Sequence, residues 1–276
     1  MRLDAHQHYW KISRGDYGWI TPEITTLYKD FLPNDLIPHL RDHHIEQTIL
    51  VQAAPTIEET EFLLDLSNKS ESIAGVVGWI DLEDSNYRAQ FDRFKKHPKF
   101  VGFRLMIQDI VDETIVLQER YLEALRYFAD KEVPIDLLCV HHQLPTVIRL
   151  LEKVPNLRGV VNHIGKPHID GKVMEPWKSD MRQIAKYKNI YCKLSGMVTE
   201  ADHKSWQKDD FVAYIRHVLD IFGMDRVMFG SDWPVCLLAG SYDDVVHVFE
   251  HALPKNLPKS DHQKLFGENA QKFYKL

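Results

Sequence analysis

The feature that most constrains this chain is an alternation: eight short β-branched and apolar runs, each followed by a stretch with helical spacing, carried through 276 residues. The runs are Arg2–His8, Ile45–Ala53, Ile73–Asp81, Phe100–Met106, Pro134–Val140, Leu157–His163, Ile190–Ser195 and Arg226–Asp232. Unbroken stretches such as Thr48-Ile49-Leu50-Val51 and Gly159-Val160-Val161 suit strands buried on both faces, as parallel strands beneath helices are. Antiparallel sandwiches would show more alternation. Helices are predicted at Asp35–His43, Thr60–Ser67, Tyr87–His97, Glu119–Lys131, Leu144–Lys153, Lys178–Lys186, Asp210–Phe222 and Asp243–Ala252, with a short closing one around Lys264–Tyr274. In the seventh, Phe211, Tyr214, Ile215, Val218 and Leu219 form the one-faced stripe of a helix packed on a sheet. The pattern predicts an α/β fold, a (β/α)8 TIM barrel spanning residues 1–276 as a single domain. The competing doubly wound sheet would carry a glycine-rich phosphate loop after its first strand. This chain has His6-Gln7-His8 there instead.

Charge and composition narrow the partners. With 34 basic against 40 acidic residues and a net charge of −6, the chain lacks the basic footprint that phosphate backbones require; no nucleic-acid partner is expected. No run of about 18 apolar residues occurs and the first residues do not read as a signal peptide, so neither a membrane nor export is expected, and the location predicted is cytoplasmic. Cys139, Cys192 and Cys236 are too few for a disulfide framework and are expected to be reduced. The segment Tyr9–Leu32 is long enough to serve as part of a lid.

In a barrel, reactive side chains at the C-terminal ends of different strands converge on one mouth. His6 and His8 end the first run, two residues apart and so on the same side. His163 ends the sixth and Asp232 the eighth. Three imidazoles and a carboxylate could hold a divalent ion with room for water, lowering that water's pKa to roughly 7, and Asp232 could be both base and ligand. His141 and His142 follow the fifth run, and alternation lets only one face inward; spacing does not say which. Arg104 and Lys193 place positive charge toward the same mouth, to steady an oxyanion or hold hydroxyls. Cys139 reads as a small buried hydrophobe, not a nucleophile. Gly230–Trp233 is not a nucleophile elbow.

These residues carry a resemblance. Asp4-Ala5-His6-Gln7-His8, Asn162-His163-Ile164-Gly165-Lys166-Pro167 and Phe229-Gly230-Ser231-Asp232-Trp233-Pro234 resemble the amidohydrolase superfamily in its amidohydrolase-2, or amidohydrolase-related, branch. Asp16-Tyr17-Gly18-Trp19, Val51-Gln52-Ala53-Ala54, the segment Glu59–Leu64, the segment Gly75–Leu82 and Lys193-Leu194-Ser195-Gly196 are similar to its subgroup of L-fucono- and L-rhamnono-lactonases. The resemblance implies a hydrolase opening a sugar aldonolactone, a small-molecule sugar lactone as partner, and metal ligands His6, His8, His163 and Asp232. It implies catalytic roles for Asp232, His163 and His142, the last by its place before Leu144-Pro145. It implies that Arg104, Gln108, Lys193 and Trp233 contact substrate. One divalent metal, Zn2+ first, is implied; the subgroup also allows carbonyl polarisation by the histidines without it. The branch contains metal-dependent decarboxylases of unsaturated or aromatic acids as the rival activity, and association into a homo-oligomer is left open. One departure stands out: Asn162 replaces an aspartate usual in the family, keeping a hydrogen-bonding side chain without its charge.

Overall fold

The computed structural model describes all 276 residues. Eight parallel strands form one sheet in sequence order: β1 (Leu3–Gln7), β2 (Gln47–Val51), β3 (Ile73–Gly78), β4 (Phe100–Met106), β5 (Ile135–Leu138), β6 (Gly159–Val161), β7 (Ile190–Leu194) and β8 (Val227–Phe229). The seam is closed just beyond β8, where Gln7 bridges Trp233 in parallel register and the amide of Asp232 donates to the carbonyl of His6 at 2.8 Å. Each strand lies inside one of the eight predicted runs, so the (β/α)8 barrel is the fold.

The helices around it are α1 (Pro33–Asp42), α2 (Ile57–Lys69), α3 (Tyr87–Phe94), α4 (Glu119–Asp130), α5 (Leu144–Lys153), α6 (Trp177–Ile184), α7 (Lys208–Phe222), α8 (Tyr242–Ala252), α9 (Lys259–Gln263) and α10 (Asn269–Tyr274). All nine predicted helices have counterparts; the last, predicted around Lys264–Tyr274, is a wide turn at Lys264–Glu268 followed by α10, and α9 just before it was not predicted. Their inward stripes and the outward faces of the strands make one large apolar layer, including Phe103, Phe128, Phe211, Phe229 and Phe249. Ala5, Ile49, Val51, Val77, Val160 and Met228 form a second cluster filling the barrel, joined by Phe273 and Tyr274 from α10. No helix is long and apolar enough to cross a membrane. The three cysteines are free and buried.

Tyr9–Leu32 is packed down, not hinged open. Tyr9, Trp10, Tyr17, Leu27 and Phe31 are buried, Trp10 and Phe31 form an antiparallel bridge, and the Trp19 indole donates to the Ala53 carbonyl at 2.8 Å.

Candidate active site

On β1, Asp4 pairs with Thr48 but Gln7 with Leu50, so three steps on one strand match two on the other. This bulge lets Ala5 face the apolar barrel interior while His6 and His8 still reach one point above it. There, His6 Nε2 lies 3.2 Å from His8 Nε2, and Asp232 Oδ1 lies 3.2 Å from His8 Nε2, 3.6 Å from His6 Nε2 and 3.8 Å from His163 Nε2. His6, His8 and Asp232 have the spacing of a metal-ligand group. Donor atoms about 2.1 Å from a tetrahedral ion are roughly 3.4 Å apart, so His6, His8 and Asp232 fit a divalent ion, with His163 Nε2 standing next to the carboxylate. His8 Nδ1 donates to the Val51 carbonyl at 2.8 Å, which leaves its Nε2 lone pair for the site. His163 Nδ1 is bonded to Ser195 Oγ at 2.9 Å.

Two of these residues are carried on strained backbone. His163, Ile164, Gly165 and Lys166 follow one another at φ of 53°, 49°, 71° and 47°, and Asp232 stands at 58°. A β-branched residue in the left-handed region is an outlier, and such strain gathers where a structure fixes functional groups. The Trp177 indole, donating to the Ile164 carbonyl at 2.7 Å, pins the turn.

Burial sets the protonation states. It lowers His163 to about 3 against the pull of Asp232, and lowers His6 well below its usual range, with Lys193 adding to the effect. His8 is lowered by burial too, although its bond to Asp232 opposes this. Burial alone would raise the Asp232 carboxyl, but the His163 ring and the His8 bond outweigh it and hold the group below the usual carboxylate range. At neutral pH the site is therefore one carboxylate among three neutral imidazoles.

A cavity of about 300 Å³ is lined by residues including Arg104, Trp79, Asp81, Glu83, Asp109 and Tyr121; none of the four clustered residues lines it, and Arg104 is its link to them. Arg104 is buried, and its charge reaches His6, His8 and His163. Nε donates to Gln52 Oε1 at 2.8 Å and Nη2 to the carbonyl and side-chain oxygens of Gln52. Nη1 makes no hydrogen bond to protein.

The other predicted residues stand further off. Lys193 is fully buried below the cluster, its Nζ 2.5 Å from Asp136 Oδ2 and 3.2 Å from His6 Nδ1. Trp233 packs edge-to-face on Tyr9 and Phe31 and keeps 2% of its surface. Gln108 does not line the cavity, whereas its neighbour Asp109 does. His142 is exposed and apart from the cluster, while His141, half-buried, is bonded to the Lys166 carbonyl at 3.0 Å.

Asp136, Ser195 and Gln52 escaped the sequence reading. Asp136 had left a signal, since a lone acid and a lone Lys193, each inside an apolar strand, are the makings of a buried pair. Asn162 donates to Asp136 Oδ2 at 3.0 Å, so its amide serves as a donor to a carboxylate.

The chain is similar to known proteins over its whole length. The amidohydrolase family profile matches residues 3–276. An L-fucono-1,5-lactonase of Burkholderia ambifaria is 34% identical over 279 residues, covering 100% of this chain and 96% of the relative. Half of the chain aligns at 29% identity with an L-rhamnono-gamma-lactonase of Scheffersomyces stipitis. The crystal structure of an amidohydrolase from Burkholderia multivorans with bound Zn superposes with a TM-score of 0.94 at 34% identity, covering 100% of this chain and 99% of that one. With a family profile matched over nearly every residue and relatives 34% identical along the whole chain, the chain belongs to the amidohydrolase family.

Proposed function

We propose that this protein is a lactonase, a carboxylic ester hydrolase that opens a sugar aldonolactone of the L-fucono- or L-rhamnono-lactone kind by attack of water on the lactone carbonyl. The observation that carries the reading is one ionised carboxylate among three neutral imidazoles, linked through Arg104 to a sugar-sized cavity, in a chain similar from end to end to L-fucono-1,5-lactonases.

His6, His8, His163 and Asp232 would hold a divalent ion, Zn2+ in the first instance. Bound there, such an ion acts as a Lewis acid and lowers the pKa of water to about 7. Asp232 accepts the proton of the attacking water and returns it to the ring oxygen that departs, so the product is a hydroxy acid and no net proton stays on the enzyme. Neutral His163, held by Ser195, can present Nε2 beside that proton path. Arg104 Nη1, the unengaged nitrogen of a fixed guanidinium, donates to substrate oxygens. Trp79 gives the cavity an apolar wall for the C–H face of a sugar ring. Lys193 acts from below, through His6.

The test is a pH-indicator assay of purified protein on a panel of 1,4- and 1,5-aldonolactones, corrected for spontaneous opening, with and without chelator and with added Zn2+ or Mn2+. Acid release on a related group of lactones is expected. Silence across the panel together with CO2 release from unsaturated or aromatic carboxylic acids would overturn the reading.

A further inference from the structure

Glu59 is fully buried on α2 and has no ion-pair partner. Its oxygens accept the Ala53 amide at 3.0 Å each, and Oε2 also accepts the Ala54 amide at 2.8 Å. Starting the helix does not require it, because Thr56 is the N-cap, its Oγ1 accepting from the Glu59 amide at 3.1 Å. An acidic side chain taken wholly out of water costs free energy that such bonds only partly offset; the position therefore calls for another use.

The two peptides it grips lead directly to Arg104. The Gln52 amide is bound at both ends: Oε1 accepts from the guanidinium, and Nε2 donates to the Ala54 carbonyl at 3.2 Å and to Met106 Sδ at 3.0 Å. Each bond fixes the sense of the next, from the Glu59 carboxyl to Ala53–Ala54, to the Gln52 amide, to the guanidinium, and such chains polarise cooperatively. Burial pushes the Glu59 carboxyl up to about 8 against the pull of the two alanine amides and of Arg104, so its grip on the segment is that of a hydrogen-bond acceptor and not of a fixed charge. On its other side the segment receives the Trp19 indole at the Ala53 carbonyl. We infer that Glu59 is a positioning residue which, through Ala53–Ala54 and Gln52, holds the Arg104 guanidinium so that Nη1 meets the substrate. The inference rests on the lactonase reading for the role given to Arg104.

The experiment compares Glu59→Leu, which leaves both alanine amides unpaired, with Glu59→Gln, which keeps an oxygen for them. On the best lactone of the wild-type enzyme, Glu59→Leu should raise KM about tenfold with kcat within about twofold, and Glu59→Gln should recover most of that loss. In an Arg104→Met background neither change should have a further effect, because residues acting through one group are non-additive. Equal losses in both backgrounds, or a fall in kcat at unchanged KM, would overturn the proposal. Should Glu59→Leu not fold, Gln52→Leu cuts the same path and should raise KM alike; unchanged KM there also overturns it. If no lactone is turned over, the lactonase reading has failed, and the nitrogen-15 NMR resonance of Arg104 Nε–H, assigned by its loss in Arg104→Lys, decides. A resonance moved in Glu59→Gln supports the path from Glu59, and an unmoved one refutes it.

Discussion

A charge in the middle of a barrel survives only if its partner is there too. Asp136 and Lys193 are both fully buried, and each is tied to a further group: Asp136 Oδ1 accepts from Tyr274 Oη at 2.6 Å, and Lys193 reaches His6 Nδ1. Removing one partner strands the other, which costs about 3–5 kcal/mol. Lys193→Met should therefore lower the urea-unfolding free energy by about that much, and adding Asp136→Asn should restore part of it; additive losses would contradict the pairing. Asp232 makes a different prediction. Asn cannot take a proton, so Asp232→Asn should cut kcat by about 10²- to 10⁴-fold on the lactone substrate while circular dichroism stays that of the folded barrel. His163 couples pH to stability. Its pKa is about 3 in the folded chain against an ordinary 6.5, so between those values the unfolded chain binds a proton that the native one does not. This contribution is complete above pH 6.5 and is lost as pH falls toward 3, because stability rises with pH wherever the unfolded state binds more protons. Wild-type stability should drop more steeply on acidification through this range than that of His163→Asn, as denaturant titrations at several pH values would show.

At the scale of elements, the turn carrying His163 depends on its neighbour. Gly196, just after β7, has φ of 58°, and a Cβ there would run into the His163 ring. Gly196→Ala should cost about 1–3 kcal/mol by overpacking and strain and should reduce turnover as well, since the ring must move; a variant with lowered thermal stability but unchanged kcat would show that the ring has room. The strands and helices were legible because period and burial act locally: Thr48–Val51 is a continuous apolar run, and Phe211–Leu219 repeats at helical spacing. Depth within a strand was not. Lys193 reads as a mouth residue from its run, yet it lies alongside Met228 in the register of β7 and β8, a layer below Ser195. Each two-residue step along a strand changes height by about 6.6 Å, and which step faces the substrate is set by register, which one strand alone does not carry. Glu59 was hidden for a related reason. It acts through the backbone amides of Ala53 and Ala54, and a side chain bonded to peptide groups leaves no partner residue to look for.

Across the whole molecule, the interior of this barrel is a polar column within an apolar sleeve. Layers of branched apolar side chains are the usual filling, and Ile49, Val51, Val77 and Val160 supply them on one part of the wall. From the floor upward, however, Tyr274 bonds Asp136, Asp136 pairs with Lys193, and Lys193 touches His6 at the mouth. The C-terminal helix α10 is thus the foot of the column, and Arg158 fastens it by donating to the carbonyls of Lys272 and Phe273. This connects the two ends of the barrel by chemistry that neither end shows alone. Tyr274→Phe keeps the ring that plugs the floor and takes away one donor to a buried carboxylate, at a cost of about 1–3 kcal/mol. Because the lost bond is to Asp136, the same substitution should also loosen Lys193 and with it the orientation of His6. The measurement is paired: thermal or urea stability, and Zn2+ affinity by equilibrium dialysis, of Tyr274→Phe against wild type. A stability loss with an altered Zn2+ affinity supports a continuous column from floor to mouth; a stability loss with unchanged affinity would mean that the column ends at Asp136 and that the mouth is held by β1 and β8 alone.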